Sequence, residues 1–98
     1  MSSNAVRNLR KLLRNKYTFL RACDIHVGKC GPNRLNAHLD FYYNTTEQSN
    51  KIANILETLK NYLDTEDTLT YHYKVLNRYT FTFPLNKINS LSALILLL

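Results

Sequence analysis

The segment NTTEQSNKIANILETLKNYL, residues 44–63, constrains the fold of this chain more than any other stretch. Its apolar residues recur every three or four positions, which is the spacing of one helix face. They are Ile52, Ile55, Leu56, Leu59, Tyr62 and Leu63. The segment opens with a capping signature, either Asn44-x-x-Glu47 or Thr45-x-x-Gln48, that can bind the free N–H groups of a first turn. We therefore predict one amphipathic helix over residues 45–63.

Alternating apolar residues on both sides of this helix predict strands. Short strands are expected at 17–20 and 38–43, the second burying Leu39, Phe41 and Tyr43. After the helix, a strand over 68–75 is expected to bury Leu69, Tyr71, Tyr73 and Val75 and to leave Thr68, Thr70, His72 and Lys74 on its open side. A further strand over 78–83 buries Tyr79, Phe81 and Phe83 and ends at Pro84.

The remaining segments complete a single α+β domain in the prediction. Residues 1–15 form a basic amphipathic helix, and residues 16–83 form the domain, with a polar extended loop over 22–36. Residues 84–98 form a hydrophobic extension, either a helix or a buried strand, that is expected to pack on a partner protein. No apolar run reaches the length of a membrane span, so no membrane is expected as a partner.

The basic residues are concentrated in the first third of the chain. Residues 1–34 hold eight Lys and Arg against Asp24 alone, whereas residues 35–98 hold five against six acids. A basic segment with aromatic residues and a loop is typical of phosphate contacts, which predicts a nucleic-acid partner. The acid-free residues 1–23 also have the composition of an organelle targeting sequence.

Cys23, His26 and Cys30 supply three metal-binding residue types within the predicted loop. The spacing lacks the paired cysteines of the usual structural zinc sites and offers three ligands where zinc prefers four. A nucleophilic cysteine would need a base, an orienting group and an oxyanion donor, and only Cys23 with His26 is visible. We expect no metal, no cofactor, no small-molecule substrate and no enzyme activity, with a zinc-binding RNA knuckle as one alternative.

The run Lys16-Tyr-Thr-Phe-Leu-Arg21, followed by His26-Val-Gly-Lys29 and Arg34, resembles a motif of the small-subunit ribosomal protein S-ten family. That motif combines an aromatic-Thr-x-Leu-Arg run with a nearby His-Val-x-Lys run. In the family, a strand leads into a long basic loop and returns into a strand, a helix and a closing strand. The similarity covers residues 16–75. It departs at Ala22-Cys23, at two extra residues before His26, and at Cys30.

The resemblance implies a ferredoxin-like sandwich, with two helices on one face of a four-stranded antiparallel or mixed sheet. The family's first strand has no counterpart, and strand 78–83 could take its place beside 68–75. The implied function is a structural constituent of the small ribosomal subunit head, bound to ribosomal RNA and neighbouring ribosomal proteins, in a mitochondrial ribosome. The candidate RNA-binding residues are Arg7, Arg10, Lys11, Arg14, Lys16, Arg21, His26, Lys29 and Arg34.

The main alternative is a small viral or phage interaction protein that blocks a partner through its basic face. Short chains of asparagine-rich composition are common there, and this chain has twelve asparagines. Charge alone does not separate the two functions.

Overall fold

A computed structural model describes residues 2–29, Pro32, 34–63 and 66–98. The helices are α1 (Ser2–Lys16), α2 (Thr46–Leu63) and α3 (Ile88–Leu97). The strands are β1 (Ala22–Lys29), β2 (Leu35–Tyr42), β3 (Leu69–Tyr73) and β4 (Arg78–Pro84). Two single 3₁₀ turns, Lys74–Leu76 and Leu85–Lys87, flank β4.

The strands form one antiparallel sheet in the order β1-β2-β4-β3, which confirms the predicted α+β class. If β4 preceded α1 in the sequence, the chain would have the strand-helix-strand-strand-helix-strand order of a ferredoxin-like fold. The hypothesis that strand 78–83 pairs beside the strand after α2 is confirmed, because β4 lies between β2 and β3. Tyr79 is paired with His72, and Thr82 with Leu69.

The three helices pack on one face of the sheet and form a single core with it. The sheet contributes fully buried aromatic and aliphatic side chains, Ile25, Leu39, Phe41, Phe81 and Phe83. The helices contribute Leu9, Leu13, Ile52, Leu56, Leu59, Leu91 and Ile95. Successive strand residues point to opposite faces. The alternate residues therefore form a second face, which none of these helix core residues covers.

The start of α2 decides between the two capping signatures. The Gln48 N–H donates to Thr45 Oγ1 at 3.1 Å, and the Asn44 N–H donates to Gln48 Oε1 at 2.8 Å. The Thr45-x-x-Gln48 alternative is the one that forms, and the predicted helix 45–63 is confirmed. Among the residues that the structure describes, no helix has the length and apolarity needed to cross a bilayer.

The prediction of a strand at 17–20 is wrong, and so is that of a loop over 22–29 and 35–36; between these strands, residues 30, 31 and 33 lie outside the described part of the chain. The Tyr17 N–H continues α1 by donating to the Leu13 carbonyl, and the Leu20 N–H closes a turn onto Tyr17. Residues 22–29 are strand β1, which pairs along its whole length with β2. The segment has a polar composition because only Cys23 and Ile25 face the core, while its other residues lie on the second face or beyond the helices.

The predicted orientation of the strand after α2 is inverted. Thr70 and His72 pair with Phe81 and Tyr79, and they lie on the core side of β3. The residues that were expected inward, Leu69, Tyr71 and Tyr73, lie on the second face and are 40–49% exposed. Because β3 is an edge strand beyond the helices, neither of its sides is fully buried.

The C-terminal segment is part of the domain and not an extension. β4 runs to Pro84, and α3 places Ile88, Leu91 and Ile95 in the common core. These residues fill space between α1, α2 and the sheet, so no partner protein is needed to cover them. Only the end of the helix remains outside, where Leu97 is 85% exposed.

Candidate nucleic-acid interface

The second face of the sheet, which we call the open face, is organised into cross-strand rows by the strand register. Each row takes one residue from each paired strand, and neighbouring rows are two residues apart along the chain. The first row consists of Ala22, Tyr42, Arg78 and Tyr73. The second consists of Asp24, Asp40, Thr80 and Tyr71, and the third of His26, His38, Thr82 and Leu69.

The first row is a stack of aromatic rings and guanidinium groups. The Arg78 guanidinium carbon lies 4.5 Å from the Tyr73 ring centroid and 5.9 Å from that of Tyr42. Arg21 adds a second guanidinium 5.2 Å from the Tyr42 ring, and the backbone N–H of Arg21 donates to the Tyr42 carbonyl. A side-chain hydrogen bond with Tyr42 raises the pKa of Arg78 above its ordinary high value, so the row holds a fixed positive charge.

The next two rows share a polar network centred on Asp40, a buried carboxylate. Thr80 Oγ1 donates to Asp40 Oδ1 at 2.6 Å, and His26 Nδ1 lies 3.3 Å from Asp40 Oδ2. The His26 ring stacks on His38 with centroids 4.8 Å apart, and His38 Nδ1 lies 2.9 Å from Thr82 Oγ1. These contacts hold two flat rings in place beside the aromatic row.

The pKa of His38 is lowered in this network. Burial is the main cause, because it disfavours the charged imidazolium, and the charge of His26 acts in the same direction. The carboxylate of Asp40 opposes both effects without reversing them. At neutral pH the His38 ring is therefore an uncharged stacking surface, and the fixed charge of the open face comes from the arginines.

Two of the arginines on α1 that were predicted to bind RNA form hydrogen bonds or ion pairs with β1. Arg10 Nε donates to Asp24 Oδ1 at 2.8 Å and its Nη2 donates to the Ile25 carbonyl at 2.6 Å. Arg14 Nη2 lies 3.6 Å from the same carboxylate. Burial tends to raise the pKa of Asp24, but hydrogen bonds from Arg10 and the Ile25 N–H, with the two arginine charges, lower it overall. These arginines hold α1 on the sheet edge.

The other candidate residues are divided between protein contacts and solvent. Lys16 Nζ donates to the Leu98 carbonyl, and Arg34 Nη2 lies 3.0 Å from Asp67 Oδ2. Arg7, Lys11 and Lys29 are exposed. The structure brings Arg21 and His26 together on the open face and does not gather the nine candidates into one site.

The sequence prediction missed most of the open face. The missed residues are His38, Tyr42, Tyr71, Tyr73 and Arg78. Tyr71 and Tyr73 were assigned to the core because aromatic residues at alternate positions are the usual core signal. Their ring centroids lie 6.1 Å apart on the open face. The Tyr-x-Tyr pattern close to the Arg78-Tyr79 pair was the only signal that could have found them.

Cys23 and His26 lie on opposite faces of β1, because they are three positions apart along the strand. Cys23 is 6% exposed within the core, and burial, with smaller effects of Asp24 and Asp40, raises its pKa to about 12. The two side chains therefore cannot bind one metal ion or act as a thiol and base. Cys30 lies outside the described residues, within which no group of three potential ligands could hold a metal.

Comparison with protein-family models, with curated proteins and with solved structures found no match to this chain. The function proposed below therefore depends on the geometry and charge of the open face.

Proposed function

We propose that this protein binds single-stranded RNA across the open face of its sheet, as a component of a ribonucleoprotein particle. The observation that supports this most is the row of Arg21, Tyr42, Arg78 and Tyr73, in which rings and guanidinium planes alternate. Proteins bind single-stranded RNA by stacking unpaired bases on aromatic rings and arginine planes. Fixed cations in the same row contact the phosphates.

The layout of the row favours a single strand over a duplex. Tyr42 and Tyr73 lie on the two strands that flank β4, so their rings are separated by roughly two strand spacings, about 10 Å. Extended single strands can place successive bases on such platforms. Bases in a duplex are stacked on each other and cannot reach them, since A-form helices are recognised mainly by shape and backbone.

A more specific proposal within this class is an rRNA-binding constituent of the small ribosomal subunit head, in a mitochondrial ribosome with neighbouring ribosomal proteins. The sheet order favours it, because β4 takes the place of the first strand that the S-ten family pattern requires. The position of His26 within β1 weakens it, because the long loop that carries the family's motif is replaced by a paired strand.

Co-sedimentation tests the ribosomal proposal against the viral or phage alternative. A ribosomal constituent should remain with small subunits through a high-salt wash. An interaction protein that acts only through its basic face should be released as salt screens the charges. Release at moderate salt would overturn the ribosomal assignment and leave RNA binding to be judged separately.

RNA binding is tested by fluorescence anisotropy with a labelled single-stranded RNA of ten nucleotides and its duplex. We expect tighter binding of the single strand. Tyr73→Ala should weaken it by about 5- to 100-fold, the effect of losing one base stack. The matched control is Tyr62→Ala, because Tyr62 is an exposed tyrosine of α2, on the opposite side of the sheet. Equal affinities of wild type and Tyr73→Ala would overturn the proposal.

A further inference from the structure

A cleft of about 470 Å³ opens at one end of the open face. It lies between the end of α1, the turn at 17–21 and the adjoining ends of β1 and β2, and it shares Asp40 and Tyr42 with the open face. Its volume is within the range of pockets that enclose small ligands. Among the described residues, it is the recess that joins the aromatic row to the basic helix.

The charged side chains that face the cleft differ in how fully they are paired within the protein. One carboxylate oxygen of Asp40 accepts a hydrogen bond from Thr80, and the other lies beside the His26 ring. Arg14 shares the carboxylate of Asp24 with Arg10, so two cations face one anion. The Arg21 guanidinium donates only a long 3.4 Å hydrogen bond to the Leu76 carbonyl, and no carboxylate of the described residues pairs with it. Arg14 and Arg21 are therefore the two cations in the cleft that an anion could contact, beside the carboxylates of Asp24 and Asp40.

Tyr17, which also lines the cleft, supplies a second and independent indication of a ligand. It is 6% exposed, and its buried hydroxyl makes no hydrogen bond to any described residue. A buried hydroxyl without a partner destabilises the folded state, because the hydrogen bonds that it makes to water in the unfolded chain are not replaced. Packing alone does not explain its presence, because Tyr17 contacts Phe19 and Phe41 through the ring edges, which a phenylalanine would reproduce.

We propose that the cleft holds one nucleotide of the bound RNA, turned out of the strand at the end of the aromatic row. Its phosphate lies between Arg14 and Arg21, and its sugar and base lie against Tyr42. The Tyr17 hydroxyl, which is covered in the unbound protein, donates to an oxygen of the sugar or base once the side chains over it move. This inference rests on the proposed function, because the nucleotide belongs to the RNA that crosses the open face.

Titration of the full chain with nucleoside 5′-monophosphates tests the site, with backbone amide shifts as the readout. We expect shifts centred on Arg21, Ala22 and the end of α1, saturating with one affinity. Ribose 5-phosphate and inorganic phosphate are separate arms. They should bind more weakly, because neither has a base for Tyr42. Equal affinity for inorganic phosphate would overturn the proposal in favour of a simple anion site.

Two variants separate the ligand contact from a structural role. Tyr17→Phe should weaken nucleotide binding about three- to tenfold, the effect of one hydrogen bond, while its melting temperature stays equal to or above that of wild type. Arg14→Gln should weaken nucleotide binding, whereas Arg7→Gln, with the same charge change on the same helix, should not. Unchanged affinity in Tyr17→Phe would overturn the assignment of its hydroxyl.

The failure of this inference can be distinguished from the failure of the proposed function. Tyr73 does not line the cleft, so Tyr73→Ala should leave mononucleotide binding unchanged. If the ten-nucleotide RNA binds and depends on Tyr73, but mononucleotides shift no cleft amide, only the nucleotide site is overturned. If mononucleotides bind in the cleft but the RNA does not depend on Tyr73, the proposed function is overturned and the cleft remains a site for free nucleotides.

Discussion

The guanidinium of Arg78 lies 4.5 Å from the Tyr73 ring, and the two residues are directly paired across β3 and β4. Only residues 74–77 connect them, as a single 3₁₀ turn closed by Asn77 in the left-handed region at φ 50°. Asparagine tolerates this conformation better than most residues. The tight connection therefore sets the arginine beside the ring before any ligand is bound, which reduces the entropy cost of binding.

Arg78→Lys is expected to weaken binding of single-stranded RNA about five- to tenfold. Lysine keeps the charge but lacks the planar group that packs on Tyr42 and Tyr73. The dependence of affinity on salt should hardly change, because the number of cations is the same. Fluorescence anisotropy over a salt series checks both expectations. Arg7→Lys is the control, and a wild-type affinity for Arg78→Lys would contradict stacking on this residue.

Leu91→Ala should lower the free energy of unfolding by about 2 to 5 kcal/mol, because it opens a cavity in the core. Leu97→Ala, the same substitution on the same helix, should change it by less than about 0.5 kcal/mol. The two leucines are 0% and 85% exposed. Urea unfolding measures both variants. Similar small effects would mean that α3 does not complete the domain.

The sequence predicted the elements whose apolar pattern is set by the core. Three elements each turn one regular side to the common core: the helix over 45–63 and the strands over 38–43 and 78–83. The spacing of their apolar residues can therefore be seen directly in the sequence. The capping residues of α2 are also local, since Thr45 and Gln48 bond within one turn. The α+β class followed from these elements, whereas the four-stranded sheet was implied only by the family resemblance.

The sequence could not predict features that depend on distant partners. The orientation of β3 follows from its register with β4, and an edge strand with polar and aromatic residues on both sides has no internal signal for it. Residues 22–29 form a strand because β2 lies beside them, although their composition is that of a loop. The open face was therefore hidden in residues assigned to the core or to a loop.

Asp24→Asn should destabilise the protein slightly at pH 7 and less at pH 3. The pKa of Asp24 is lowered in the folded state from an ordinary value of 3.8, so its contribution is present above that value and is lost as pH falls through the folded pKa. The effect should stay below about 1 kcal/mol, because the side chain is half exposed. Urea unfolding at both pH values checks it. Glu57→Gln, on the exposed side of α2, is the control, and a loss that grows at low pH would contradict the prediction.

Folding stability should also fall between pH 7 and pH 5 because of His38. Its pKa is lowered from the ordinary 6.5 by burial and by His26, so the folded state resists protonation. The neutral His38 ring contributes its full stabilisation above pH 6.5. This contribution is lost as pH falls through the pKa of His38 in the folded state. His38→Gln should reduce this pH dependence. NMR titration of the His38 ring gives its pKa directly, and a value above 6.5 would contradict the burial of this ring beside His26.

Cys23 should resist thiol reagents in the folded protein. Burial raises its pKa to about 12, so at pH 8 only about one molecule in ten thousand holds the reactive thiolate. The thiol is also 6% exposed, which means that reaction requires local opening. In a Cys30→Ser background, iodoacetamide should modify Cys23 far more slowly in buffer than in 6 M urea. Reaction at the unfolded rate would show that this side chain leaves the core, and would restore the possibility that Cys23 and His26 meet on one side of the chain.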